Sequence, residues 1–229
     1  MQKDNSIMTV SQVVTDRLRQ DILDGRYGPG DRITVNQIAQ EYGVSHTPVR
    51  EAFQSLKGER LVELLQYKGA VVKQMDIKTV ADIYDVRGAI EVVIMTNIYK
   101  NGISSEMIQQ LTHINNTVDF SRPPEETART FALINDLFHH TLFSACDNQQ
   151  AVEMYILYSN LFQALKKRYP IAIDRVRVSH AEHYQMLDIL REGTLEELKN
   201  ITVQHNEGAK ENFLHQMKIS SFSAKEEIG

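Results

Sequence analysis

The sequence predicts a mainly α protein in two parts: three short helices closed by a β-hairpin, then an all-helical bundle of about six helices. Three observations predict it. Apolar residues recur at three- and four-residue spacing through most of the 229 residues. That period gives way once, to two short apolar runs around Lys68-Gly69. Breakers then divide everything after Met75 into helix-length segments, with no further strand pattern.

Residues 1–8 read as a tail. Val10, Val13, Val14, Leu18, Ile22 and Leu23 carry a first helix, which Gly25, Gly28, Pro29 and Gly30 end. A second helix runs from about Val35 to Tyr42 with Ile38 and Ala39 inward, and Gly43 fits its left-handed cap. A third runs from about His46 to Glu59 and turns Val49, Ala52, Phe53 and Leu56 to one side. Ser45 or Thr47 suits its N-cap, and Pro48 is tolerated in its first turn. Leu61 to Lys73 reads as two strands. Residues 9–74 therefore form a first domain of winged helix-turn-helix layout. The second domain, 78–217, takes helices at 78–100, 104–118, 124–145, 148–168, 173–192 and 195–217. Residues 218–229 are polar and read as a tail.

Hydrophobic residues at 42% and charged residues at 24% are ordinary for a globular chain and exclude gross disorder. The lone Cys146 excludes an intrachain disulfide framework and a cysteine-rich zinc site. The N-terminus shows no signal-peptide pattern. The most apolar stretch, Ala89 to Tyr99, is too short for a membrane span and contains Glu91. A cytoplasmic protein with no membrane partner is the expectation. The formal charge of −5 is unevenly placed: residues 1–74 carry 10 basic and 9 acidic residues, the remainder 15 and 21. The excess acid lies wholly in the second domain, which leaves the first free to approach a polyanion.

The third helix begins Ser45-His46-Thr47-Pro48-Val49-Arg50-Glu51. With Val49, Ala52 and Phe53 inward, His46, Thr47 and Arg50 fall on the outer side near the helix start. That end of a recognition helix reaches base edges in the major groove. Arg50 can bond guanine O6 and N7 together; Ser45, Thr47 and free backbone N–H groups suit phosphate. Lys68 and Gly69 suit the tip of a wing. The competing reading of Arg50 is a local ion pair with Glu51 or Glu41. Residues 9–74 resemble the DNA-binding domain of the GntR family of bacterial transcription regulators. The resemblance is carried by Asp31-Arg32-Ile33, Ile38 through Ser45, Thr47-Pro48-Val49-Arg50-Glu51-Ala52-Phe53 and Lys68-Gly69-Ala70-Val71-Val72. It departs at His46, where the family commonly has arginine.

Seven of the eight histidines lie in the second domain. Asn135 and His139 are four apart and share a helical side. His183 and His205 are 22 apart with Gly193 roughly midway, so a helical hairpin brings them level. Three helices could then present His139, His183 and His205, with Asn135, to one point inside a bundle, and imidazole suits zinc, nickel, copper or iron. His113, His140, His180 and His215 read as solvated or cavity-lining residues. Residues 78–217 resemble the all-helical FCD effector domain of FadR-type GntR regulators, through Arg87 to Glu91, Asn135 to His139, Ala145 to Asn148, Glu182-His183 and Gly193 through His205. In metal-binding members, an Asp or Asn and three His at these positions hold a divalent metal, here zinc or nickel, in the effector pocket. The first ligand position is Asn135, neutral in place of Asp. Arg87 reads either as an i,i+4 partner of Glu91 or as a clamp on an effector carboxylate.

Together these features point to a homodimeric, ligand-responsive regulator that binds a palindromic operator in double-stranded DNA and is not an enzyme. A metal-dependent enzyme is the competing class, as is a DNA-binding regulator whose metal is purely structural. Against the enzyme, His180-Ala-Glu-His183 has the wrong spacing for a His-Glu-x-x-His site, and no positioned general base is evident.

Overall fold

Thr9 opens the first helix, α1 (Val10–Leu23), with a reciprocal cap. Its hydroxyl accepts the Gln12 N–H at 3.2 Å, and its own N–H donates to the Gln12 side chain at 2.7 Å. Such a cap is worth about 1 kcal/mol. The computed structural model describes residues 8–66 and 68–226; the tail expected at 1–8 lies outside them except for Met8. The chain divides into two units, one running to Asp76 and including Asn160–Lys167, the other comprising Ile77–Ser159 and Arg168 onward.

In the first unit β1 (Arg32–Ile33) precedes α2 (Val35–Tyr42) and α3 (His46–Gly58), and β2 (Val62–Leu65) and β3 (Gly69–Val72) follow. Thr34 caps α2, and Gly43 ends it at φ 68, the left-handed turn that the sequence implied. Val14, Leu18 and Ile22 of α1, Ile38 of α2 and Val49, Phe53 and Leu56 of α3 are all buried. The sheet has order β1-β3-β2 and is antiparallel throughout. The strand β1 was absent from the sequence expectation, because two residues are too few to show an alternating pattern. It pairs Arg32 with Val71 and Ile33 with Ala70. This pairing explains Gly69: at φ 97, a Cβ there would collide with the Ile33 carbonyl oxygen.

The second unit is helical: α4 (Ile77–Asn101), α5 (Ser105–Asn116), α6 (Pro124–Phe143), α7 (Gln149–Arg168, of which Asn160–Lys167 count with the first unit), α8 (Ile173–Glu192) and α9 (Leu195–Glu226). An apolar cluster joins Ile94, Met95 and Ile98 of α4 to Leu111 of α5, Phe138 and Leu142 of α6, Met186 and Leu187 of α8, and Leu198 of α9. One expectation is corrected here. The tail placed from 218 onward is helical as far as Glu226. Polarity alone does not end a helix, and residues 209–226 contain neither Gly nor Pro.

Candidate nucleic-acid interface and metal centre

At the start of α3, burying Val49 and Phe53 turns the intervening residues outward. Ser45, His46, Thr47 and Arg50 are all exposed. Ser45 stands at the N-cap but makes no side-chain cap bond, so its hydroxyl and the first N–H groups of α3 face solvent together. The local pairing considered for Arg50 is not formed among the described residues. Glu41 instead pairs with Arg26 and accepts from the Tyr27 hydroxyl at 2.9 Å. At the hairpin Lys68 is exposed, while its carbonyl accepts from Arg32 Nη2 at 3.3 Å and Nε at 3.4 Å. Arg32 adds a second exposed cation beside the tip that the sequence reading did not single out. The signal was available, since Asp31-Arg32-Ile33 stood among the family-like stretches.

In the helical unit, α6, α8 and α9 each place one imidazole at a common point. The ring centroids of His139, His183 and His205 lie 5.2, 5.2 and 5.1 Å apart, a nearly equilateral triangle. All three side chains are buried, with one ligating nitrogen each within 4.8 Å of the others. Phenylalanines wall the space: the Phe138 ring stacks on His183 at 4.0 Å, and Phe143 lies 5.5 Å from His139.

The outward nitrogens decide the tautomers of His183 and His205. His183 Nδ1 lies 3.1 Å from Asn115 Oδ1, and Asn115 spends its own amide N–H on the His180 carbonyl, so Oδ1 must accept. His205 Nδ1 lies 2.8 Å from Glu182 Oε2, and His139 Nδ1 3.4 Å from Glu91 Oε1. The Nδ1 of His183 and the Nδ1 of His205 each face an acceptor within hydrogen-bond distance, which assigns the proton there and turns the Nε2 lone pairs of these two rings to the common point. His139 Nε2 and His205 Nε2 are 3.3 Å apart, and His183 Nε2 is buried without a hydrogen-bond partner. Lone pairs brought together in an apolar box repel unless a cation lies between them. The donor set therefore fits a divalent metal.

Charge around this point is also arranged. Burial works against ionising Glu182, yet hydrogen bonds from His205 and Arg175 outweigh it and hold its pKa at about 2. Burial pushes the Glu91 carboxyl up, opposed by His205 and Arg87. Burial, followed by repulsion from His205 and His139, drives the His183 imidazolium well below the usual range. Arg87 lies over the rings of Tyr84 and Tyr155 at 4.7 and 5.3 Å. It reaches Glu91 through Asn206, which accepts from Arg87 at 3.4 Å and donates to Glu91.

Asn135 sits one turn before His139 on α6, half-buried. His113, His140 and His215 are exposed and away from the cluster. His180 is half-buried, and its Nε2 donates to the Asn115 carbonyl at 3.1 Å rather than joining the triangle. The sequence reading missed Asn115, Arg175 and Asn206, and quoted Glu182 without giving it a role. A glycine inside a helical run was one usable signal. A Cβ on Gly208 in α9 would lie 2.6 Å from Arg175 Nη1, so this glycine, which costs about 0.5–1 kcal/mol of helix stability, makes room for the arginine.

A winged helix carrying an exposed polar helix start, joined to a helical domain with an internal histidine triangle, defines the class of two-domain bacterial regulators. The chain belongs to the gntR family of bacterial regulatory proteins: residues 10–72 match that family and residues 82–208 match the FCD domain. It is 32% identical over 148 residues to the gluconate operon transcriptional repressor of Bacillus subtilis, covering 65% of this chain and 58% of that one. It is 24% identical over 139 residues to the HTH-type transcriptional repressor GlaR of Escherichia coli, covering 60% and 63%. The matched part thus spans about three fifths of each of these relatives. Escherichia coli McbR/YncC has the same fold, with a TM-score of 0.71 at 15% identity, covering 93% of this chain and 100% of that one. These relatives are regulators, not enzymes. No helix among the described residues is long and apolar enough to cross a membrane.

Proposed function

We propose that this chain is a sequence-specific, DNA-binding transcription regulator of the cytoplasm whose operator affinity is set by a small carboxylate bound at a divalent metal in the helical domain. The convergence of three buried imidazoles, two of them with the outer nitrogen hydrogen-bonded to an acceptor, carries this reading. His139, His183 and His205 hold the ion, with Asn135 as a weaker fourth ligand. Bound there, a divalent metal supplies a positive centre that a carboxylate can ligate. Arg87 stands ready as a second anion contact. Gluconate, for which the Bacillus subtilis relative is named, is itself a carboxylate.

On the DNA side Arg50 reads a base, His46 adds a hydrogen bond, and Ser45, Thr47, Lys68 and Gly69 approach the phosphates. One recognition helix covers only a few base pairs. A homodimer doubles that contact and matches a palindrome. The effector acts by binding one arrangement of the protein better than another, since only differential affinity shifts a population.

The test starts with an operator selected from random duplexes. Its affinity is then measured for metal-free and zinc-loaded protein across a panel of small carboxylates. At least one carboxylate should change operator affinity several-fold, and only when zinc is present. Zinc that stays bound while no carboxylate alters DNA affinity would make the metal structural and sink the effector half of the reading.

A further inference from the structure

We propose that Glu182, steered by Arg175, presents His205 to the metal in its binding-ready tautomer and supplies negative charge that the neutral ligands lack. This rests on the metal-site reading above and assigns a positioning role to two residues of α8.

The contacts form a closed loop. Arg175 grips both carboxylate oxygens of Glu182, Nη1 to Oε1 at 3.1 Å and Nη2 to Oε2 at 2.7 Å. A two-pronged grip fixes the plane of the carboxylate as well as its position. Glu182 Oε2 then accepts from His205 Nδ1 at 2.8 Å. Arg175 Nη2 also donates to the His205 backbone carbonyl at 2.8 Å. The arginine thus holds His205 at both ends, through the carboxylate at the ring and directly at the main chain. The helix α9 makes room at Gly208, where a Cβ would stand 2.7 Å from the guanidinium carbon.

The three imidazoles are not supported equally. His183 leans on a neutral amide, Asn115, and His139 faces Glu91 at the longer distance of 3.4 Å. Only His205 has a carboxylate at 2.8 Å that is itself pinned by a cation. A carboxylate on the outer nitrogen makes an imidazole a stronger donor to a metal than an amide does. With Asn135 and three histidines as ligands, the ligand set carries no charge. Glu182 places charge one hydrogen bond beyond it, on the same helix as His183.

The plainer alternative is a buried ion pair that ties α8 to α9 and does nothing for metal. The two are separated by comparing full-length wild type with Glu182→Gln, Gly208→Ala and the exposed control Glu207→Gln. Three quantities are read: zinc affinity by chelator competition at neutral pH, the unfolding midpoint without zinc, and the ¹⁵N signals of His205 without zinc. Glutamine keeps the shape and removes the charge, and should weaken zinc binding by about 10–100-fold. Gly208→Ala displaces only the mobile end of Arg175. It should weaken zinc several-fold, and decides the matter if Glu182→Gln does not fold. In wild type, His205 should show a protonated Nδ1 and a bare Nε2, and both variants should blur that distinction. Glu207→Gln should match wild type in all three. Zinc affinity within twofold of wild type in the folded variants, whatever their unfolding midpoints, overturns the proposal alone. Wild-type protein that takes up no zinc overturns the metal reading beneath it and this role with it.

Discussion

The two units keep their chemistry under opposite conditions. Arg50, His46, Thr47 and Lys68 are exposed, while His139, His183 and His205 are buried, the last two hydrogen-bonded to acceptors. An exposed cation costs the fold almost nothing, so its purpose is set by what arrives from outside. A buried imidazole must be compensated inside, so its neighbours reveal its purpose. The first unit is therefore read from what it leaves uncovered, and the second from what it gathers.

The largest expected effect breaks the second unit. Replacing His139, His183 or His205 with Ala should abolish stoichiometric zinc at micromolar protein, because two imidazoles and an amide are too few donors for a tight site. His113→Ala and His215→Ala, both on exposed residues, should bind one equivalent like wild type. Elemental analysis after gel filtration reads this directly. Equal zinc in the His183 and His113 variants would reduce the cluster to a polar core.

How much of this was legible follows the same division. The exposed side of α3 was visible in sequence because Val49, Ala52 and Phe53 fix the buried side, and the polar residues between them must face out. The triangle was visible too, since 22 residues around a central glycine bring His183 and His205 level. What stayed hidden was held together by side-chain contacts across elements. Asn115 lies 68 positions from the histidine that it orients, and Asn206 lies 115 from Glu91. Spacing along one helix carries no information about such pairs. The strand β1 was missed because it exists only through its partner, and the end of α9 because polar residues were taken for a loose tail.

The next effect sharpens the first unit. Arg50→Ala should cost about 1–3 kcal/mol of discrimination at the base pair it reads. Lys68→Ala should instead weaken all duplexes alike and lower the slope of log K against log salt by about 1. Binding titrations on the selected operator and a scrambled duplex, at several salt concentrations, separate the two. An unchanged ratio between operator and scrambled DNA for the Arg50 variant would remove it from base readout.

Acid tests the burial itself. Folding keeps His183 neutral well below pH 6.5, whereas the unfolded chain takes up its proton near pH 6.5. Between those values the unfolded state binds more protons, so stability must fall as pH drops below about 6.5. Glu182 adds a second loss. Its folded pKa is depressed, so its contribution is whole above about 4.5 and disappears as pH falls towards about 2. Thermal unfolding of zinc-free protein from pH 7.5 to 4 should show the first loss, and Glu182→Gln should flatten the second at lower pH. So far as His183 decides it, zinc affinity should hold over the first interval, because the folded imidazole stays neutral there, and fall only once that imidazole takes up its proton. A midpoint independent of pH between 7 and 5 would mean that His183 is not desolvated as its surroundings indicate.

The smallest expected effect lies where the two conditions meet, at Asn135. It is half-buried, one turn before His139 on α6, and its amide offers a neutral oxygen. Asn135→Asp adds a charge to a ligand set that has none, so zinc should bind more tightly, by about tenfold if the carboxylate reaches the ion. The same charge offsets the metal's own, so a carboxylate effector should bind more weakly to the loaded variant. The gain and the loss share one cause. Measuring both on one sample, zinc by chelator competition and effector by its change in operator affinity, therefore tests whether Asn135 touches the metal. Tighter zinc with unchanged effector response would place the new carboxylate near the ion but away from the effector position. No change in either would remove Asn135 from the ligand set and leave the three histidines to hold the metal alone.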